Sequence, residues 1–224
     1  MSGKYVTETM GTDAHEITRA ARILRDGGLV AVPTETVYGL AARADDDEAV
    51  SRIYRAKGRP DFNPLIVHVA SLELARKLAD FSDVAEKLAA EHWPGPLTLV
   101  LPRRRDAGLA EAVTAGLETV AIRMPSHAVM RALLEESGLP IAAPSANRSG
   151  FISPTSTAHV LASLDSRIDA VIDGGMCEKG LESTIAAVRA DGSVVVLRPG
   201  PILLPASAAD GKNIEAPGQL ASHY

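Results

Sequence analysis

Aromatic residues and basic residues are both scarce in this chain of 224 residues. Phe, Trp and Tyr make up only 4% of it, so it has few of the stacking platforms on which single-stranded nucleic acid binds. Lys and Arg number 23 against 28 Asp and Glu, a formal net charge of −5, whereas proteins that bind nucleic acid through bulk electrostatics are usually basic. Any site for an anion must therefore be local.

Cysteine and long apolar runs are scarce as well. The single cysteine, Cys177, excludes an intrachain disulfide and any zinc site built from several cysteines. No apolar run approaches the roughly 18 residues that a membrane-spanning helix needs. The first sixteen residues lack the apolar core of a signal peptide. We therefore expect a cytoplasmic protein without membrane contact.

The motifs of the common nucleotide-binding and hydrolytic enzymes are missing. The sequence contains no G-x-x-x-x-G-K-[ST] phosphate-binding loop and no G-x-G-x-x-G dinucleotide fingerprint. It also lacks the H-E-x-x-H motif of metalloproteases and the G-x-S-x-G turn of α/β-hydrolases. If the chain binds a nucleotide, it does so by another route.

What the sequence does contain is a regular alternation of helical and strand patterns. Hydrophobic residues make up 46% of the chain, enough for a core of mostly Ala, Val, Leu and Ile. Periodicity and capping residues predict helices over 13–26, 46–56, 71–78, 82–92 and 127–137. Apolar runs predict strands over 29–33, 65–69, 97–101, 119–123, 140–143, 169–173, 183–188 and 194–198. The pattern is typical of a layered α/β domain.

The turn Asp191-Gly192 predicts a hairpin between the last two strands, so we expect a mixed sheet. We assign residues 1–204 to one α/β domain. The stretch 205–224 is rich in Pro, Gly and Ala, and we interpret it as a linker toward a further domain.

Two polar segments can be interpreted either as structural features or as parts of an anion-binding site. Lys57 and Arg59 are cations at a predicted helix end, which the helix dipole favours. The prolines Pro60 and Pro64 stiffen the following loop, which would also suit a phosphate site. The segment "APSANRSG" at 143–150 is either a capped turn or a nest of backbone N–H groups around an anion.

Two single residues, His68 and Arg123, can also be interpreted either as structural residues or as ligand contacts. His68 in an apolar strand is either a core residue or a ligand contact. Arg123 at a strand end is either a surface residue or a clamp for a carboxylate. Arg103 to Arg105 fit a solvated loop, and Trp93 before Pro94 fits a structural turn.

The motifs taken together resemble the YrdC-like domain family of the threonylcarbamoyl-AMP synthases. The segments "VPTETVYGLAARA", "IYRAKGRPDFNPLIVHV", "WPGPLTLVL", "VAIRMPSH", "PIAAPSANRSG", "DGG…ESTI" and "LRPG" occur in that family's order, from about residue 29 to residue 200. The K-x-R…S-x-N hallmark of the family corresponds to Lys57, Arg59, Ser145 and Asn147.

The resemblance implies a fold and an activity. The fold would be a twisted, open, mixed α/β sheet with flanking helices and a concave, positively lined face. The enzyme would make L-threonylcarbamoyl-AMP and pyrophosphate from L-threonine, bicarbonate and ATP with Mg²⁺. A separate transferase complex would place the threonylcarbamoyl group on the tRNA adenosine next to the anticodon. Contact with tRNA is compatible with this scheme and not required by it.

The resemblance also implies roles for residues of this sequence. Lys57 and Arg59 would be catalytic, and no side chain is predicted to ligate the metal directly. ATP would meet Lys57, Arg59, Asn63, Thr119, Ser145, Asn147, Ser153 and Arg198. Threonine would meet Thr36, His68, Arg123, Ala143 and Ser183, with Arg123 on its carboxylate and His68 near its amine or hydroxyl.

Two other functions stay open from the sequence. One is a carbamoyl-adenylating domain of the hydrogenase-maturation type, which has the same fold and uses carbamoyl phosphate. The other is an RNA-binding module that uses the concave basic face. We further expect the chain to correspond to the family's long form cut at its interdomain linker, with Tyr224 touching the nucleotide if the linker docks.

Overall fold

The computed structural model of the protein describes residues 6–204. Within that range the helices are α1 (Ala14–Arg25), α2 (Asp47–Lys57), α3 (Leu72–Leu78), α4 (Asp83–His92), α5 (Glu111–Thr114), α6 (Ala128–Ser137) and α7 (Thr157–Leu164). The strands are β1 (Glu8–Met10), β2 (Val30–Val32), β3 (Gly39–Arg43), β4 (Ile66–His68), β5 (Leu97–Pro102), β6 (Thr119–Arg123), β7 (Ile141–Ala142), β8 (Ala170–Ile172), β9 (Thr184–Val188) and β10 (Val194–Arg198). The predicted linker 205–224 and Tyr224 lie outside the described residues.

Three helices begin at side-chain caps, two of them serines that the sequence predicts as caps. Ser71 and Ser82 accept the backbone N–H groups of Leu74 and Ala85, and so start α3 and α4. Asp46 does the same for α2, whose last turn carries Arg55 and Lys57. Each of these three helices follows its predicted span within one residue at either end.

The strands form one ten-stranded mixed sheet in the order β1-β8-β2-β3-β7-β4-β6-β5-β9-β10. The pairs β1–β8, β2–β8, β4–β6 and β5–β9 are parallel, and the other neighbours are antiparallel. The predicted hairpin joins β9 to β10 in register Val194 to Val188. The predicted fold class, a twisted, open, mixed sheet with flanking helices, is confirmed.

Four elements were missed from the sequence: β1, β3, α5 and α7. The strand β3 has the sequence GLAAR, and Gly and Ala are depleted in strands. It forms all the same, because it pairs antiparallel with both β2 and β7. Tertiary pairing therefore overrides a weak local preference.

The core is aliphatic, as the composition predicts, and covers both faces of the sheet. Leu40, Val67 and Leu99 are fully buried within the largest cluster. Trp93 donates from Nε1 to the Leu97 carbonyl oxygen at 2.7 Å and stacks edge-on against Phe81, so its structural interpretation is confirmed. Among the described helices, none combines the length and apolar character needed to cross a membrane.

Candidate active site

Two adjoining cavities lie where loops leave the middle of the sheet. The first, which we call the His68 cavity, holds about 560 Å³ of space free of protein atoms, counted out to the solvent. The second, the Lys57 cavity, holds about 460 Å³ by the same measure. Four residues belong to the walls of both cavities: Arg59, Ser145, Glu182 and Arg198.

Lys57 enters its cavity from the end of α2. Gly58 adopts the left-handed conformation (φ 59°) that ends the helix, a conformation glycine reaches without steric cost. The Lys57 side chain is only 2% exposed, and its Nζ donates to the backbone carbonyls of Ser145 and Asn147. Lys57 is thus a cation at a helix end, as the sequence predicts, but the S-x-N loop covers it.

Burial changes the acidity of this lysine. Removal from water, followed by repulsion from Arg59, lowers the pKa of Lys57 to about 7, while Glu182 acts in the opposite direction. An amine with that pKa is partly neutral at physiological pH. An incoming anion would restore its charge.

Arg59 lies on the stiff loop that follows α2. Its Nε and Nη2 donate to the carbonyls of Asn63 and Pro64, at 3.4 and 3.1 Å. Burial lowers the pKa of Arg59 to about 10, which still leaves the guanidinium charged at neutral pH. The loop thus holds a cation between the two cavities.

Arg198 and Glu182 form an ion pair on the shared wall. Arg198 also donates from Nη2 to the Ser183 hydroxyl and from Nε to the Ser183 carbonyl, both at 3.0 Å. Ser153 donates to the other side of the Glu182 carboxylate at 2.7 Å. Glu182 therefore fixes two residues predicted to face ATP.

Arg123 ends β6 and is buried, so its interpretation as a surface residue is wrong. Its Nη2 lies 2.6 Å from Glu35 Oε1, with both side chains about 95% buried, and its Nη1 donates to Thr36 Oγ1 at 3.0 Å. Burial alone would raise the pKa of Glu35, but Arg123 and backbone N–H groups outweigh it and hold that pKa below its usual value. Glu35 is therefore ionised at neutral pH.

His68 lies beside Arg123, because β4 and β6 pair in parallel register at these two residues. Burial, and then the charge of Arg123, lowers the pKa of His68 to about 3. The ring is therefore neutral at physiological pH, and Nδ1 lies 3.3 Å from the Ile66 carbonyl. His68 is both a core residue and part of the cavity wall.

The structure brings together most of the predicted site residues. All five residues predicted for threonine line the His68 cavity: Thr36, His68, Arg123, Ala143 and Ser183. Six of the eight predicted for ATP line the Lys57 cavity: Lys57, Arg59, Ser145, Asn147, Ser153 and Arg198. Their roles toward these ligands stay predictions.

Two predicted residues lie apart from both cavities. Asn63 is buried, and its carbonyl accepts hydrogen bonds from Tyr54 and Arg59, so its backbone supports Arg59. Thr119 lines a smaller cavity of about 210 Å³, which shares Pro64 and Leu65 with the His68 cavity.

Three site residues were missed from the sequence: Glu35, Glu182 and Thr98. Thr98 on β5 exchanges a hydrogen bond with Ser183 at 2.8 Å and so orients that hydroxyl. The available signal for Glu35 was an acidic residue inside the buried segment "VPTETVYGL", where it caps no predicted helix. A buried charge of that kind needs a partner.

The described residues contain no group of three or more His, Cys, Asp or Glu side chains placed to hold a metal ion. Magnesium keeps several waters and is often bound through substrate phosphates. No hydrogen-bond donor among the described residues reaches Asn147 Oδ1, although this oxygen is buried. A ligand hydroxyl or a metal-bound water could reach this oxygen only after a rearrangement of the S-x-N loop.

Comparison with known proteins identifies the family of this chain. The family model Sua5/YciO/YrdC, described as "Telomere recombination", matches residues 22–200. The threonylcarbamoyl-AMP synthase of Bacillus subtilis is 52% identical over 88% of this chain and 57% of its own. The synthase of Pyrococcus abyssi is 46% identical over 93% of this chain and 65% of its own. The chain thus spans less than two thirds of the length of these two relatives.

A solved structure of a family member has the same fold as this chain. The crystal structure of P. abyssi Sua5 complexed with L-threonine superposes with a TM-score of 0.88 and 42% identity, over 98% of this chain and 68% of the other. The family model alone covers well over half of the residues. The chain therefore belongs to the Sua5/YciO/YrdC family.

Proposed function

We propose that this chain carries the catalytic site of an L-threonylcarbamoyl-AMP synthase. L-Threonine, bicarbonate and ATP would be the substrates, and threonylcarbamoyl-AMP and pyrophosphate the products. The observation that carries the proposal is the pair of cavities joined by Arg59 and Arg198, one lined by Lys57 and the other by His68 and Arg123. Relatives named for this activity, and one solved with L-threonine, support it.

The proposed reaction needs two anions held close together. The threonine amine attacks the carbon that bicarbonate supplies, and a proton and hydroxide leave as water. A carbamate oxygen then attacks the α-phosphorus of ATP. The bond from this phosphorus to the bridging oxygen breaks, and pyrophosphate leaves with the electron pair. No covalent enzyme intermediate is required.

The residues suit a reaction of this class. Displacement at phosphorus is accelerated mainly by positioning and by charge stabilisation in a site organised in advance. Arg59 is fixed by Asn63 and Pro64, and Arg198 by Glu182 and Ser183. Both guanidinium groups lie between the proposed amino-acid and nucleotide regions, where the carbamate would meet the α-phosphate.

Magnesium would enter with ATP and neutralise part of the phosphate charge. The product would pass to a tRNA threonylcarbamoyl transferase complex. Direct contact between this chain and tRNA is not needed for either step.

The test is pyrophosphate release from ATP and Mg²⁺, with threonine and bicarbonate each added and withheld. We expect release only when both are present. Release that requires carbamoyl phosphate instead would favour the hydrogenase-maturation type of activity. Absence of turnover together with absence of threonine and ATP binding in calorimetry would reject the proposal.

A further inference from the structure

Glu35 lies next to two residues of the His68 cavity wall, Thr36 and Arg123, at a point where three segments of the chain meet. Its Oε1 accepts from Arg123, and its Oε2 accepts from the backbone N–H groups of Ser126 and His127, at 3.2 and 3.3 Å. Its own carbonyl accepts from Lys179 N at 3.0 Å. One residue thus joins the loop after β2, the start of α6 and the segment before β9.

The contacts of Arg123 leave part of its guanidinium available. Among the described residues it donates to Gly95 O through Nε, to Thr36 Oγ1 through Nη1 and to Glu35 through Nη2. A guanidinium has five N–H groups, so one N–H on each Nη remains for a ligand of the cavity that Arg123 lines. Two such groups can bind a carboxylate only if the guanidinium plane is fixed.

Glu35 fixes that plane from the side away from the cavity. Arg123 contributes to the wall of the His68 cavity, whereas Glu35 does not. The carboxylate is itself immobile, because both of its oxygens are hydrogen-bonded and the side chain is 5% exposed. It therefore acts on a ligand only through Arg123 and Thr36.

We propose that Glu35 is a positioning residue for the amino-acid substrate, which holds Arg123 so that its remaining N–H groups face the substrate carboxylate. This inference rests on the proposed function, since it takes an α-amino acid as the ligand of the His68 cavity. In this role Glu35 raises the affinity of the site for the carboxylate of the amino acid and takes no part in nucleotide binding.

The substitution Glu35→Gln tests this without a change of size. An amide has one acceptor oxygen and one donor nitrogen. If its oxygen meets Arg123, its NH₂ group points at the N–H groups of Ser126 and His127; if it is turned, the NH₂ group points at Arg123. Either orientation opposes donor to donor, so the guanidinium plane is lost. Glu35→Asp keeps the charge but withdraws it by one methylene.

The measurements are the dissociation constants of L-threonine, L-threonine amide and ATP by calorimetry. We expect Glu35→Gln to weaken threonine binding by roughly 10- to 100-fold, the size of a lost hydrogen bond to a charged group. ATP affinity should change by less than about 3-fold. The preference of the wild type for threonine over its amide should also fall toward unity, which a general loss of stability would not cause.

Asp169→Asn is the matched control. Like Glu35, Asp169 accepts hydrogen bonds from an arginine side chain, that of Arg52, and from a backbone N–H group, that of Leu29. It lies at the opposite end of β2 from Glu35. This variant should melt at a lower temperature and keep the three affinities and the threonine preference of the wild type.

The outcomes are separable. Failure of the wild type to bind threonine would reject the proposed function itself. Wild-type binding with equal losses for threonine and ATP in Glu35→Gln, or with an unchanged preference over the amide, would overturn the role of Glu35 alone. If Glu35→Gln does not fold, the same comparison is made with Glu35→Asp, for which an unchanged threonine affinity and preference would contradict the role.

Discussion

The environment of Lys57 in the structure differs from the one that its position in the sequence indicates. Its position at the end of α2 indicates that its truncation would leave the fold intact. In the structure it is covered by the S-x-N loop and donates to two carbonyls of that loop. Removing it leaves those carbonyls without their donor, so Lys57 affects stability as well as any bound anion.

The buried lysine makes stability depend on pH in a predictable direction. The pKa of Lys57 in the folded protein is about 7, against 10.5 for an ordinary lysine. Between these values the unfolded chain binds more protons, so the free energy of unfolding rises with pH; below about 7 the full cost of the buried charge remains. From about pH 7 to about pH 9 the gain should reach ~2 kcal/mol.

Urea unfolding at these two pH values measures this gain. The variant Lys57→Met, which keeps the length but has no charge to bury, should lack it. The same pH dependence in the variant and the wild type would show that the titration belongs to another group.

Arg59 gives a second prediction at this scale. Arg59→Ala should weaken ATP binding by roughly 10- to 100-fold, since hydrogen bonds to charged groups contribute about 1.5–3 kcal/mol. Arg55→Ala is the matched control, because Arg55 lies near the same helix end but pairs with Glu48 on the surface. Calorimetry with ATP and Mg²⁺ compares them. Equal losses of ATP affinity in the two variants would mean that ATP responds to the net charge of the protein and makes no specific contact with Arg59.

At the scale of elements, the sequence predicted what local chemistry determines. Capping serines, the hairpin turn and apolar runs located α3, α4, β6 and β10 closely. It missed β3, whose small residues become a strand only through their two neighbours. The same holds for the site. The motif residues that line the two cavities were predicted, whereas Glu35 and Glu182 were missed. Their contribution depends on arginine partners that lie 88 and 16 residues away in the sequence.

The connection from β10 to the end of the described chain depends on Gly200. A Cβ atom there would lie 2.5 Å from Thr184 N and 2.7 Å from Glu182 O, which is closer than side chains tolerate. Gly200→Ala should therefore displace the segment that holds Glu182 and Ser183. We expect a loss of ~1–3 kcal/mol in unfolding free energy and a fall in turnover.

Gly11→Ala serves as the control for this prediction, since a Cβ atom at Gly11 meets neighbours only at 3.7 Å or more. Denaturant melts and the pyrophosphate assay compare the two variants. Wild-type stability in Gly200→Ala would show that the segment can shift without cost.

At the scale of the whole molecule, charge distribution separates a nucleotide site from a nucleic-acid surface. The chain is net acidic, while the two cavities bring together Lys57, Arg59, Arg123 and Arg198. Small anions can reach such a recessed cluster, whereas a duplex or stem-loop meets the acidic exterior. We therefore expect tRNA binding weaker than about 10⁻⁴ M at ~0.15 M salt, the weak end of non-specific affinity.

Fluorescence anisotropy with a labelled anticodon stem-loop, over a series of salt concentrations, measures this. ATP binding to the same sample is the positive control. Tight binding of the stem-loop with a steep loss of affinity at higher salt would favour the RNA-binding alternative instead.

The wall shared by the two cavities has a thermodynamic consequence. Arg59, Ser145, Glu182 and Arg198 border both the His68 cavity and the Lys57 cavity, so a ligand that shifts one of these side chains in one cavity also changes the lining of the other. Under the proposed function this wall would couple the two substrates, and the coupling would be reciprocal: the factor by which ATP changes the affinity for threonine would equal the factor by which threonine changes the affinity for ATP.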